Sequence, residues 1–331
     1  MNIRRATCAF LAVACVLLAS GAGVAQQPTK IPRIGIMING GPGPVIEALK
    51  RDFAKLGYAE GQSIAFEPRY AQGQLGRHPE LAADLVKAGV DVILTLGGPA
   101  SRAAKNATST IPIVFSIVTD PIALGLVSSM DRPGGNATGL TNLDPQQATK
   151  QMELLREILP KLKRVAILSD ADIPGADASG LAPIERANVA AARALGLEPQ
   201  VLKAKGPSPD FESAFAEMEK AGAEALLVLE VPITLFNGKH LAERATGRRL
   251  LSVFPGGQGA TGGVIAYGTT VADTWPRMPA MTDKILKGAK PAEMPVDVIT
   301  RRDLTINLKT AREIGIAIPA EVLKRADRVV E

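Results

Sequence analysis

The sequence predicts an α/β protein of two Rossmann-like, doubly wound parallel-sheet lobes joined by a three-segment hinge. Three observations lead there. The runs Val92–Leu96 and Ile113–Val118 are short, branched and apolar with little alternation, the pattern of parallel strands covered by helices on both faces. Strand and helix signals alternate as a βαβ series, and that series occurs twice. Both apolar runs stop abruptly, at Gly97-Gly98-Pro99 and at Thr119-Asp120-Pro121, and strand ends in open α/β sheets are where ligands lie.

In chain order, the first half offers a strand over Arg33–Ile38, a helix from about Val45 to Leu56, a strand near Ile64–Arg69 and a helix near Pro79–Lys87. The two strands named above follow, joined by a helix near Ala100–Ala107. The second half opens with a helix near Thr149–Leu159. Beyond it, Arg164–Leu168, Ile184–Leu195, Glu198–Lys203, Phe211–Ala221, Ala225–Leu229, Leu241–Thr246 and Leu250–Phe254 continue the alternation. Each series implies a parallel sheet with right-handed crossovers. Crossings between lobes are expected at Thr138–Leu143, Val264–Thr269 and Val296–Leu304, and three of them restrict the hinge to closure around a ligand. The lobes then comprise residues 32–142 plus about 268–300, and 143–267 plus about 301–331.

The strand ends supply the candidate binding residues. At Gly98-Pro99-Ala100-Ser101 a proline suits the first helical turn, and the exposed N–H groups of the helix start fit an anion such as a ligand carboxylate, with Ser101 adding a hydroxyl. Thr119 and Asp120 end the next strand. Asp120 suits a ligand ammonium as well as it suits capping the turn after Pro121. Asn39 and Gly40 open a Gly-rich turn that permits close backbone approach. That turn is not a dinucleotide fingerprint: Pro42 and Pro44 disrupt the helix start, and no acid ends the next strand. Across the crevice stand Asp170 and Asp172, Glu230, and Phe254 with Gly256-Gly257-Gln258-Gly259. Phe236, Phe254 and Tyr70 are the aromatic candidates for stacking on a ligand ring, with core packing as the alternative for each.

Composition limits the function classes. Arg4 and Arg5 precede an apolar run from Ala9 to Ala19, and small residues reach Ala25, so residues 1–25 read as a cleavable secretory signal. Cys8 and Cys15, the two cysteines of the chain, both fall inside it, which leaves the mature part without a thiol or disulfide; lipidation at Cys15 stays open. Removing the two arginines takes the formal charge from +5 to +3, with basic residues scattered, and nucleic acid is not an expected partner. His78 and His240 lie in separate contexts without a metal-ligand partner, and no nucleophile elbow or zinc signature occurs. No enzyme, metal or cofactor is expected.

The runs Gly97-Gly98-Pro99-Ala100, Ile111-Pro112-Ile113-Val114-Phe115, Thr119-Asp120-Pro121 and Arg132-Pro133-Gly134-Gly135-Asn136-Ala137-Thr138-Gly139 are joined by four further signatures. These are Gly57-Tyr58-Ala59-Glu60-Gly61-Gln62, Ile285-Leu286-Lys287-Gly288-Ala289-Lys290-Pro291, Ile306-Asn307-Leu308-Lys309-Thr310-Ala311 and Ala326-Asp327-Arg328-Val329-Val330. In this order the chain resembles the substrate-binding proteins of ABC transporters, tryptophan/tyrosine type, over most of residues 32–331. The resemblance implies a monomeric periplasmic binding protein of the type I class. Such a protein hands a small ligand, an amino acid or related carboxylate, aromatic ones included, to an ABC permease in the inner membrane. A periplasmic sensor for a signalling receptor, or a secreted enzyme on the same scaffold, are the alternatives. Family members show an Asn-Pro-Asn type run where this chain has Asp170-Ala171-Asp172, and more aromatic character at Gly256-Gly257-Gln258-Gly259, so the ligand's identity stays open.

Overall fold

The branched apolar segments of the sequence become the central strands of two sheets in the computed structural model, which describes residues 30–142, 145–206, 208–257, 261–269 and 276–331. The proposed signal with Cys8 and Cys15 lies outside the described residues, as do Leu143, Gln258 and Gly259.

The first sheet is built from β1 (Arg33–Ile38), β2 (Ala65–Tyr70), β3 (Val92–Leu96), β4 (Ile113–Val118), β5 (Ala137–Thr141) and the short β11 (Asp297–Val298), in the order β11-β5-β4-β3-β1-β2. All its pairings are parallel. Helices α1 (Pro44–Lys55), α2 (His78–Lys87) and α3 (Gly98–Ala107) form its crossovers. Separate apolar clusters, one around Phe115 and Leu85 and one around Phe53 and Ile36, show why the strands lack alternation: both faces are buried.

The second sheet repeats the plan with β6 (Arg164–Asp170), β7 (Glu198–Ala204), β8 (Ala225–Val228), β9 (Leu251–Phe254), β10 (Ile265–Thr269), β12 (Arg302–Asn307) and β13 (Arg328–Val330), ordered β13-β12-β10-β9-β8-β6-β7. Its helices include α4 (Pro145–Ile158), α5 (Pro183–Ala194), α6 (Phe211–Lys220), α7 (Pro232–Phe236) and α8 (Gly238–Gly247). One pairing departs from the expected parallel pattern: β10 and β12 run antiparallel, because the chain leaves this sheet after Thr269 and returns at Arg302 from the first. Between those points α9 (Arg277–Leu286) packs beside β4, β5 and α1. The chain therefore passes between the sheets three times, after Thr141, after Thr269 and after Val298.

Two local features position strand ends. Gly139 lies so close to β4 that a Cβ there would sit 2.1 Å from the Phe115 carbonyl oxygen, so only glycine allows this pairing. Just beyond, the β4–β5 register breaks between Phe115 and Val118, and Ile117 takes φ 56°, a strained value for a β-branched residue. The bulge turns Ile117 out of the sheet core and toward the cavity described next.

Candidate ligand-binding site

In both sheets the strand order reverses between the first strand and the third, at β1/β3 and again at β6/β8, and crevices open at such switch points. The carboxyl ends of β1, β3 and β4 face the residues after β8 across a cavity of about 360 Å³, a volume within the range of about 300–1,000 Å³ usual for small-molecule sites.

From the first sheet, Asn39, Gly40, Gly98, Thr119 and Asp120 line this cavity, and from the second, Glu230. The other candidates lie elsewhere. Ser101 is fully buried; its hydroxyl donates to the Gly97 carbonyl at 2.7 Å and meets Thr95 Oγ1 at 2.8 Å, so it fastens the helix start to β3, and Ala100 beside it is buried as well. Phe254 is a core side chain, its ring lying directly against Gly263. Asp170 is buried with both carboxylate oxygens engaged, Oδ1 by the Asp172 N–H at 2.9 Å and Oδ2 by the Ile233 N–H at 3.2 Å. Burial pushes its carboxyl above the usual range, and with Asp172 it borders a smaller cavity near Gly73–Gly76. Gly256 packs against the backbone of Gly268.

Sequence reasoning missed most of the apolar wall, including Val45, Ile117, Leu124, Pro174 and Leu235. Of the three aromatic candidates Phe236 alone lines the cavity; it is 52% exposed and its ring lies against the Gly40 backbone from the opposite sheet. Pro44, read as disrupting the helix, instead begins α1, where its missing N–H has no intrahelical partner to lose.

Asn39 is held by a group the sequence did not single out. Its Nδ2 donates to the Leu96 carbonyl at 3.2 Å, which turns Oδ1 toward His78 Nε2 at 2.7 Å. Burial pushes the His78 imidazole down to about 4, so at neutral pH it is uncharged and donates its single proton from Nε2 to Asn39.

The charge pattern of the wall is one-sided. Among the described residues, Asp120 and Glu230 line it and no lysine or arginine does. Asp120 Oδ1 accepts from the Ala123 N–H at 2.9 Å, so this residue both caps the turn and faces the cavity. Glu230 is 8% exposed; burial pushes its carboxyl up to about 7, against the opposing effects of the Asn142 hydrogen bond and the Arg302 charge. Positive potential comes from backbone instead, since the starts of α1, α3 and α5 all reach the cavity. Glu47 sits in the first turn of α1 and Glu185 in that of α5, where it accepts from the Ala182 N–H. The first turn of α3 has no acid, which leaves its dipole uncompensated. The cavity thus offers an anion-accepting end, two carboxylates and a broad apolar wall. No group of three or more His, Cys, Asp or Glu side chains able to hold a metal occurs among the described residues.

A family profile described as ABC transporter substrate binding protein matches residues 43–330. The chain belongs to that family. Its members bind substrates for transporters rather than transform them, and the family's architecture is the two-sheet arrangement seen here. A tyrosine-binding protein of Clostridioides difficile is 33% identical over 129 residues, which is 38% of this chain and 37% of that relative's length. A conserved domain protein of Vibrio cholerae is 25% identical with a TM-score of 0.78, over 91% of this chain and 100% of its own. A Streptococcus pneumoniae ABC domain solved in complex with L-Trp is 24% identical with a TM-score of 0.79, over 90% and 99%. The fold is that of type I periplasmic binding proteins. No helix among the described residues is long and apolar enough to cross a membrane.

Proposed function

We propose that this protein captures an amino acid with a large apolar or aromatic side chain in the periplasm and delivers it to the permease of an ABC importer. The observation that carries the reading is the wall of the 360 Å³ cavity, which among the described residues holds two acids, no base, an uncompensated helix start and a predominantly apolar remainder including Phe236. That set complements a zwitterion. The ligand carboxylate lies toward the start of α3 at Gly98, its ammonium toward the acids Asp120 and Glu230, and its side chain against Phe236 and the neighbouring aliphatic wall. The tyrosine-binding relative supports an amino acid as the class of ligand. Closure about the three connections between the sheets, after Thr141, Thr269 and Val298, brings the two halves of the wall onto the ligand.

The test is a thermal-shift and calorimetric screen of the mature chain with the twenty amino acids, aromatic acids and sugars. Ligand that binds only the native state raises the melting temperature by mass action. Tyrosine, tryptophan or another large apolar amino acid should do so, and uptake into vesicles carrying the cognate permease should depend on the protein. A sugar as the sole stabilising compound would refute the reading.

A further inference from the structure

A side chamber of about 100 Å³ joins the main cavity, with Thr119, Ile184 and Glu230 belonging to the walls of both. It lies between α4 and α5, beside the stretch that leaves β5. Four buried oxygens of side chains on its wall have no hydrogen-bond partner: Asn142 Oδ1, Gln147 Oε1, Asn188 Oδ1 and Glu230 Oε1. Asn142, Asn188 and Glu230 are more than nine-tenths buried.

The orientation of two of these amides is fixed by the partners of their nitrogens. Asn188 Nδ2 donates to the Ile184 carbonyl at 2.8 Å, and Asn142 Nδ2 donates to Glu230 Oε2 at 3.2 Å. Flipping either amide would set oxygen against oxygen. Asn142 Oδ1, Asn188 Oδ1 and Glu230 Oε1 are therefore acceptors, and one belongs to a carboxylate. Buried acceptors left without a donor are unfavourable, so a group that donates several hydrogen bonds at once suits the chamber, and positive charge on it suits the Glu230 carboxylate. A primary ammonium has three N–H donors in a compact head and satisfies both demands.

We propose that Asn142, Gln147, Asn188 and Glu230 form a receptor for a protonated primary amine of the ligand, so that the protein selects amine-bearing compounds over isosteric ones without the amine. The inference rests on the main cavity being the ligand site. It assigns the amine to this chamber and leaves Asp120, whose Oδ1 is already engaged by Ala123, a lesser part.

Calorimetry on the full mature chain with tyrosine, tyramine and 3-(4-hydroxyphenyl)propionate tests it, repeated with the corresponding tryptophan and phenylalanine compounds. The amino acid should bind at least a hundredfold more tightly than its des-amino analogue, and the amine without a carboxylate should keep the greater part of that advantage. Glu230→Gln, which preserves shape, and Asn188→Leu should each reduce discrimination for the amine at least tenfold. Circular dichroism of each variant separates loss of recognition from loss of fold. Equal affinity for tyrosine and its des-amino analogue would overturn the amine receptor while leaving the amino-acid site standing, because the chamber would then hold only water. Stabilisation by sodium or potassium chloride but not by choline chloride, without any amine effect, would overturn it in favour of a metal cation. Failure of every amino acid and amine in the series to bind would overturn both readings together.

Discussion

Glu230→Gln is expected to stabilise the ligand-free protein at pH 8 and to leave it nearly unchanged at pH 4. Glu230 is 8% exposed, and burial raises its carboxyl from 4.5 to about 7. The charged group that bears on it is Arg302 on β12, which acts in the opposite direction. Because the folded value lies above the unfolded one, the folded state retains a proton that the unfolded state has already lost. Stability from this group is complete below pH 4.5 and declines as pH rises through about 7. The gap between those values corresponds to a loss of about 3 kcal/mol. Glutamine carries no charge at any of these pH values, can still accept from Asn142 and can offer an N–H to the orphan oxygens, so the variant escapes the penalty. Urea denaturation of both proteins at intervals from pH 4 to pH 8 reads the effect as a difference. The difference is essential, since His78, with an imidazole value of about 4, tilts the wild-type profile the other way across much of the same interval. A variant whose advantage is the same at every pH would refute the argument.

His78→Gln should remove that opposing tilt: the wild type loses up to about 3 kcal/mol as pH falls from 6.5 to about 4, where the unfolded imidazole takes a proton and the folded one resists, and the variant does not. Paired urea titrations at pH 7 and pH 4.5 measure it, and identical acid sensitivity would show His78 to be charged or exposed. Gly139→Ala should cost about 3 kcal/mol or more, since the added methyl meets the Phe115 carbonyl oxygen at 2.1 Å and β4 and β5 must separate. A fall of less than about 1 kcal/mol in unfolding free energy would contradict that packing. Phe236→Ala should change stability by no more than about 0.5 kcal/mol, because the ring is half exposed, yet weaken tyrosine binding about tenfold in calorimetry. Undiminished affinity would remove Phe236 from the site.

The sequence was most legible where burial alone dictates residue type. Val92–Leu96 and Ile113–Val118 are strands with the bounds their composition predicts, since a strand covered on both faces has no polar side to blur its ends. Strand-end residues Asn39, Gly40, Gly98, Thr119, Asp120 and Glu230 reached the cavity for the reason that predicted them, namely the position of crevices in open sheets. The failures share another cause. Ser101 and Ala100 lie in the first turn of α3, and which side of the helix start faces the crevice depends on the angle at Gly97, whose φ is 87°. Phe254 ends a strand too, but the close approach of Gly263 covers its ring. Ile117 was hidden because a bulge leaves no trace in an unbroken apolar run. His78 was read as an isolated polar residue, since its partner Asn39 is far away in sequence and only the β1/β2 pairing, with the loop after β2 bonded to Asn39 and Gly40, unites them.

The placement of the acids bears on how binding could drive closure. Asp120 belongs to the first sheet's strand ends and Glu230 to the second's, so closing the crevice while it is empty brings like charges to one apolar cavity. An ammonium between them reverses the sign of that interaction. Asn142 adds a mechanical link, for it stands on the connection that leaves β5 and donates to Glu230. A ligand can shift an open–closed equilibrium only by the difference in its affinity for the two states. An apolar side chain resting on one wall supplies little such difference, whereas a cation held among Thr119, Asn142 and Glu230 touches the first sheet's end, the connection and the second sheet's end at once. On this arrangement the side chain adds affinity without favouring either state, and the amine sets whether the protein closes on its ligand.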